Sequence, residues 1–401
     1  MKKWVIGIIV VLAAAGAIFW ATLDKDMRGL LLNMPTDKDI LFWSTGQRDA
    51  TFRALDRIPF LSKSRLIMAG ENVYPLPEGE PLPEGMDIDT FMKDQRTAGL
   101  IIIQDGKVRL EKYALGFGPE GRWTSFSVAK SLTSTLAGAA VKDGYIKSIH
   151  DKVSDYIPDL KGSVYDDVTV EQLLNMTSGV KWNEDYGDPQ SDVAMFNAHK
   201  PEPGMDATVS YMRKLEREVP AGTKWVYKTG ETNLLGVLVS SATKKRLADY
   251  LSEKIWQPFG MEQDASWIIG STDHEISGCC LQASTRDFAR FGLFMLGGGA
   301  AAGKAVLPEW WIDKATTKQA DTDRSEYGYG YQWWTLYDGS YTARGIFGQG
   351  IFIDPSRRLV IALNSNWPQA SDEQGGNQDE MRTVFYKQVQ ELLDNEAKST
   401  K

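Results

Sequence analysis

Serine and lysine stand three residues apart at three places in this chain: Ser127 and Lys130 in SVAK, Ser178 and Lys181 in SGVK, Ser241 and Lys244 in SATK. Such a pair is chemistry in waiting, since residues three apart on a helix share a face. A serine nucleophile needs a base within hydrogen-bond reach and donors aimed at the developing oxyanion. A helix start supplies free backbone N–H groups and a positive dipole end, which favours the oxyanion and lowers the pKa of a nearby ammonium. A lysine acting as base must be neutral part of the time, which burial promotes.

Local context separates the three pairs. Gly179 follows Ser178, so that serine and lysine straddle a turn, and Ser241 lies deep within a helical stretch whose N–H groups are already used. Ser127 follows RWTSF, where Thr124 and Ser125 are cap-type residues, and the helical pattern then runs on through Ala140. A hundred residues later, VPAGTKWVYKTGETNLLG (219–236) puts Tyr227 in an extended stretch just before a helix begins. A tyrosine there can relay a proton between serine and leaving group if a lysine lowers its pKa.

The elements that must hold these groups can be read around them. TAGLIIIQDGKVRLEKYALG is two β-rich runs around Asp105-Gly106, a hairpin signal. GIFIDPSRRLVIALNSN is a second hairpin turning at Asp354-Pro355, followed by a closing helix, DEMRTVFYKQVQELLDN. Between them the chain reads as mostly helical, as in SLTSTLAGAAVKDG, TVEQLLNMTSG, TNLLGVLVSSATKKRLADYLSEKI and STRDFARFGLFMLGGG. Strands at both ends with helices between predict an α/β (α+β) fold: an antiparallel sheet built from the two ends, flanked by helices, plus a mostly helical subdomain.

These motifs, in order, resemble the serine β-lactamase and penicillin-binding-protein-like hydrolases of class C type. That group includes class C β-lactamases, DD-peptidases, family VIII carboxylesterases and 6-aminohexanoate-dimer hydrolases. SFSVAKS is similar to the nucleophile motif, and DKVSDYIPDL and VTVEQLLNMTSGV to the segment after the nucleophile helix. PAGTKWVYKTGETNLLG is similar to the tyrosine motif, IWQPFGM and STRDFARFG to later landmarks, and GIFGQGIFIDPSRRLVIAL to the closing hairpin. The resemblance covers residues 97 to 395. It implies a β-lactamase/transpeptidase-like fold, Ser127 as nucleophile, Lys130 as its base, and Tyr227 as the group that shares the proton and delivers it to the leaving group. The oxyanion hole would be the backbone N–H groups of Ser127 and Ile346, and the reaction would pass through an acyl-enzyme without a cofactor.

The chain departs from the class C pattern at two motifs. Tyr-x-Asn becomes Tyr227-Lys228-Thr229, keeping a hydroxyl and losing an amide, and the resemblance implies that Thr229, with Gly345, Ile346 and Tyr186, belongs to the oxyanion and substrate-binding side of the site. The usual Lys-Thr-Gly becomes Ala343-Arg344-Gly345, so no cation stands at the first position, and strand alternation turns Arg344 to the other face. Ala-x-Gly followed by IFGQ is more similar to the 6-aminohexanoate-dimer hydrolase branch. WNEDYGDPQSD (182–192) resembles that branch's loop over the active site, where Tyr186 would contact the nitrogen of the scissile amide. The resemblance thus implies a serine hydrolase of linear amides or small carboxylic esters. The alternatives are a class C-type β-lactamase or DD-peptidase, and a non-catalytic penicillin-binding-like module. Of the aromatic residues in YGYGYQWW (327–334) and Trp367, most are expected in the core, with some walling an acyl pocket.

The bulk properties exclude some partners and say little about substrate. A net charge of −8 over 401 residues, without a long basic run, argues against nucleic acid as partner. The three histidines form no H-E-x-x-H, and no G-x-S-x-G elbow occurs. Cys279 and Cys280 are adjacent, a spacing that rarely bridges, and they read as two buried thiols. Residues 4 to 23 carry no charge and are long enough to span a bilayer. Residues 1–23 are therefore expected to be an uncleaved membrane anchor with the body exported, facing the periplasm or exterior. A signal peptide cleaved near AGA (15–17), giving a secreted protein, is the alternative. Residues 24–95, rich in proline, read as a spacer, and 96–395 as the hydrolase domain. Oligomeric state is open.

Overall fold

The computed structural model describes residues 2–34, 40–57 and 62–399. Helix α1 (Lys2–Thr22) stands out from the body with its face exposed, and is the one helix among the described residues long and apolar enough to cross a membrane. The short helices α2 (Lys25–Leu32) and α3 (Thr45–Thr51) follow. Ser44 starts α3 with a reciprocal cap, its hydroxyl accepting from the N–H of Gln47 while the Gln47 side chain accepts from the N–H of Ser44.

The expected hairpins form the centre of the molecule. Strands β2 (Thr97–Gln104) and β3 (Lys107–Tyr113) turn at Asp105-Gly106, and β11 (Gln349–Asp354) and β12 (Leu359–Ser365) turn just after Asp354. β12 pairs antiparallel with β2, so the two ends of the hydrolase region meet in one sheet. β10 (Tyr341–Gly345) adds to β11, and three two-residue strands, β9 (Trp334–Thr335), β8 (Gly328–Tyr329) and β7 (Ala320–Asp321), continue the sheet to eight. Its two faces are both apolar and both covered. Leu100, Ile102, Phe352 and Ile361 meet the closing helix α7 (Gln378–Ser399) through Phe385 and Val389. Ile101, Ile103, Ile351 and Val360 face the larger core with α4 (Val128–Lys142) and α6 (Thr285–Leu296).

A second, four-stranded sheet was not foreseen. β1 (Lys63–Ile67), β5 (Ala265–Ile269), β6 (Leu281–Ala283) and β4 (Trp123–Thr124) lie in the order β1-β5-β6-β4. Strands of two to five residues carry too few positions for alternation to show, which is why no strand pattern stands out there in the sequence. Residues 24–95, expected as a spacer, supply the edge strand β1 of this sheet, and Arg48 on α3 donates to Asn366 Oδ1 and to the carbonyls of Trp43, Trp367 and Pro368. The long helical stretch expected from Thr232 onward is divided. Helix α5 (Thr229–Thr243) stops at Lys244, whose left-handed backbone (φ 57°) ends it.

Candidate active site

The segment that carries Ser127 is a strand, a tight turn and a helix. β4 leads to Ser125, whose N–H donates to Leu281 O while its hydroxyl accepts from the N–H of Leu281. Phe126 is left-handed (φ 41°), a conformation that costs a residue with a side chain about 1–3 kcal/mol. Its ring is held between Phe52 and Phe347, with ring centroids 5.1 and 5.4 Å away. α4 then begins. The expected caps do not form: Ser127 itself occupies the cap position and makes no side-chain cap bond, while Ser125 is engaged with β6 and the Phe126 carbonyl. The Ser127 hydroxyl is thereby left for other work.

α4 is buried along almost its whole length because its residues are small. Ser131 and Ser134 donate to the carbonyls of Gln332 and Tyr331, and Thr133 to that of Ser277. These bonds fix the roll of the helix and hence the direction of Lys130. The Lys130 ammonium nitrogen, 2% exposed, donates to Ser127 Oγ at 3.0 Å, Thr229 Oγ1 at 3.0 Å and Gly278 O at 2.8 Å. Burial lowers its pKa to about 8, although Glu184 pulls upward. Gly278 must be glycine for this approach, since a Cβ there would lie 2.9 Å from Thr229 Cγ2.

Tyr227 lies in the extended segment ahead of α5, as expected, with Lys130 Nζ 5.1 Å from its ring centre and Trp334 stacked on it at 5.7 Å. Burial first, then Glu184, push its pKa well above that of free tyrosine, while the Ser127 hydroxyl and Arg344 pull less strongly the other way. A lysine-lowered phenol, the condition set by the sequence reading, is therefore not what the site holds. Tyr227 is a protonated phenol at neutral pH.

Ser127, Tyr227, Tyr186, Gly345 and Ile346 all line one cleft of about 430 Å³, together with Trp225, Trp334 and Trp367. Gly345 comes so close that a Cβ would sit 2.7 Å from Ser125 O and 3.1 Å from Ser127 N. Ile346 follows it, so its N–H and that of Ser127 belong to adjoining backbone. Thr229 is placed differently. It starts α5 behind Lys130, and its hydroxyl joins Lys130 Nζ to Glu184. Tyr186 donates its hydroxyl to Glu184 Oε1 at 2.8 Å.

Glu184 is the residue that sequence reasoning missed. It sits two positions before Tyr186 in the acidic loop, where nothing in its spacing marks it, and only the fold brings it onto the start of α5. Arg344 follows alternation in leaving Ala343 to face the larger core, and it packs over the rings of Tyr327 and Trp334 at 4.5 and 5.1 Å. Its guanidinium still forms part of the cleft wall, where it pairs with Asp379 of α7. Arg324 and Arg382 hold the same carboxylate, at 2.7 and 2.8 Å, and the three guanidinium groups outweigh burial to keep it far below the usual carboxylate range.

The two other Ser-x-x-Lys pairs are structural. Ser178 Oγ is buried and bonded to Glu231 while Lys181 is exposed, and Ser241 Oγ donates to Tyr156 O at 2.6 Å. The expectation for the cysteines is corrected. Cys279 and Cys280 are half-buried and joined in a vicinal disulfide, where a left-handed Cys280 (φ 70°) turns the chain from Gly278 into β6. Of the late aromatic cluster, Tyr329, Tyr331 and Trp333 are buried, whereas Trp334 and Trp367 wall the cleft.

The family described as Beta-lactamase matches residues 87–383. The chain is 30% identical to 6-aminohexanoate-dimer hydrolase of Paenarthrobacter ureafaciens over 299 residues, 70% of this chain and 76% of that protein. It is 26% identical to a beta-lactamase of Pseudomonas fluorescens over 184 residues, 44% of this chain and 48% of that protein. Among solved structures, a Bacillus anthracis protein provisionally named 6-aminohexanoate-dimer hydrolase superposes with a TM-score of 0.74 at 21% identity, covering 86% of this chain and 95% of that one. A family VIII carboxylesterase does so with a TM-score of 0.57 at 16% identity, covering 76% and 98%. At these identities the two structures speak for the fold, which is the one the motifs implied.

Proposed function

We propose, from the premise that this chain belongs to the beta-lactamase family and is a serine hydrolase of amides or esters, that Ser127, Lys130 and Tyr227 turn over a linear amide through an acyl-enzyme. The observation that carries this reading is the 3.0 Å contact between the buried Lys130 Nζ and Ser127 Oγ, on a serine that lines the cleft. Neutral Lys130 takes the proton as Ser127 Oγ attacks the carbonyl carbon. The backbone N–H groups of Ser127 and Ile346 receive the oxyanion. Tyr227, protonated in the resting site, passes its proton to the departing amine or alcohol and recovers one from the Lys130 ammonium, and water then releases the acid.

A linear amide of the kind named in the Paenarthrobacter ureafaciens relative is preferred over a β-lactam. Ala343 offers no cation for a β-lactam carboxylate, and Arg344 beside it is held by Asp379. Tyr186, on the cleft wall, is the side chain proposed to meet the leaving nitrogen.

The N-terminal apolar helix is consistent with export, and we read it as a retained anchor. Arg28 donates to the carbonyls of Trp20 and Ala21 at the end of α1, and Arg57 pairs with Asp24 at 2.7 Å, which ties the helix end to the hydrolase body. Ser127→Ala in the full chain, kept in detergent, should abolish turnover of 6-aminohexanoate dimer and p-nitrophenyl butyrate. Undiminished turnover would remove Ser127 from the mechanism.

A further inference from the structure

Glu184 accepts four hydrogen bonds. Oε1 receives the hydroxyls of Thr229 and Tyr186, and Oε2 receives the Thr229 N–H at 3.0 Å and the indole N–H of Trp182. All four partners are donors, so the carboxylate is matched as an anion. The consequence reaches Lys130. A hydroxyl has one proton, and that of Thr229 is committed to Glu184, so Thr229 Oγ1 can only accept from Lys130 Nζ. Gly278 O is also only an acceptor. A neutral amine has two N–H groups and one lone pair. With both N–H groups claimed by Thr229 Oγ1 and Gly278 O, the lone pair is left facing Ser127 Oγ.

We propose that Glu184 is a positioning residue which, through the Thr229 hydroxyl, sets the direction of the hydrogen bonds around Lys130 so that its lone pair is kept for Ser127. This rests on the reading of Ser127 as nucleophile and Lys130 as base, and assigns the source of that base's orientation. It also gives Thr229 a function at the position where class C relatives carry asparagine. The groups facing Lys130 are few: Ser127 from its own helix start, Thr229 and Tyr227 from the α5 end, Gly278 O from the turn before β6, and the charge of Glu184 behind Thr229.

Glu184→Gln tests the direction with almost no change of shape. The amide must keep its oxygen towards the fixed donors, the Thr229 N–H and the Trp182 indole, and so turns its NH2 towards Thr229 Oγ1. Thr229 then donates to Lys130 and occupies the lone pair. Hydrolysis of p-nitrophenyl butyrate by the full chain in detergent, followed from pH 6 to 10, should show two changes. The plateau of kcat/KM should fall about 10-fold. The acid limb should move down by about one pH unit, because the amine loses an anion that favours its charged form. Thr229→Val should lower the plateau in the same way but leave the acid limb in place, because the Glu184 charge remains, and Thr229→Ser, which keeps the hydroxyl, should restore the wild-type profile. If Glu184→Gln fails to fold for want of its bond to the start of α5, the Thr229 pair decides alone, since that bond uses the Thr229 backbone.

A wild-type profile in Glu184→Gln or Thr229→Val overturns the proposal. So does a loss in Glu184→Gln that is equal at all pH values, which would make Glu184 a helix cap and nothing more. Ser127→Ala run alongside separates the two readings: turnover surviving there defeats the nucleophile assignment, whereas an inactive Ser127→Ala beside an unshifted Glu184→Gln defeats only the positioning role.

Discussion

Lys130 Nζ and Ser127 Oγ lie 3.0 Å apart at the start of a helix that is buried from Val128 to Ala140. The short distance matters because the amine is buried. Burial brings its pKa to about 8, close enough to working pH for a useful fraction to be neutral. A surface lysine at the same spacing would remain an ammonium and could not accept the proton.

That pKa fixes the direction of the pH dependence. The base acts only when neutral, so kcat/KM for p-nitrophenyl butyrate should rise with pH through about 8 and then level off. No loss is expected on the alkaline side below pH 10, because burial and Glu184 hold the Tyr227 proton well beyond the usual tyrosine range. A rate that falls between pH 7 and 9, after subtraction of spontaneous hydrolysis, would contradict the assignment of Lys130.

Tyr227 is needed most when the leaving group is poor. An amine must be protonated to depart, whereas p-nitrophenolate leaves unaided. Tyr227→Phe should therefore lower kcat for an amide dimer by about 10²–10⁴-fold, with a markedly smaller loss on the p-nitrophenyl ester. Equal losses on both substrates would mean that the hydroxyl acts elsewhere, in holding Ser127 or the oxyanion site.

Asp379 should behave as a structural keystone. It is 8% exposed, and removing its charge leaves Arg344 and Arg382, 10% and 3% exposed, without their counter-ion. Asp379→Asn should cost about 3–5 kcal/mol, read as a lower urea midpoint. Its folded-state pKa is depressed, so the stabilisation is full above the unfolded value near 3.8 and is lost only as pH falls below it. The gap between wild type and variant should hold from pH 8 to 5 and narrow below about 4. A gap that closes between pH 5 and 8 would place the titrating group elsewhere.

The trio proposed to act was legible in the sequence because its signal is local. A serine and lysine on one helical turn, and a tyrosine at the entrance to another helix, occupy the positions expected. The hairpins at Asp105-Gly106 and Asp354-Pro355 were equally readable, as turn chemistry and β-branched runs agree there. What escaped was tertiary. Glu184 gains its meaning only when the 182–192 loop crosses the start of α5. The left-handed Phe126 is held by Phe52 and Phe347, residues far away in the chain. The second sheet is assembled from strands as short as Trp123–Thr124, whose pattern exists only once β6 lies beside them. Thr229 shows both sides: its departure from asparagine was visible, but its place behind Lys130 was not.

The central claim is that Ser127 is the residue acylated, and covalent labelling reads this most directly. The full chain in detergent, treated with a fluorophosphonate and mapped by peptide mass spectrometry, should carry one adduct, on the peptide containing Ser127. The adduct should be absent in Ser127→Ala and slow to form in Lys130→Ala. An adduct on another serine, or labelling that survives in Ser127→Ala, would contradict the account.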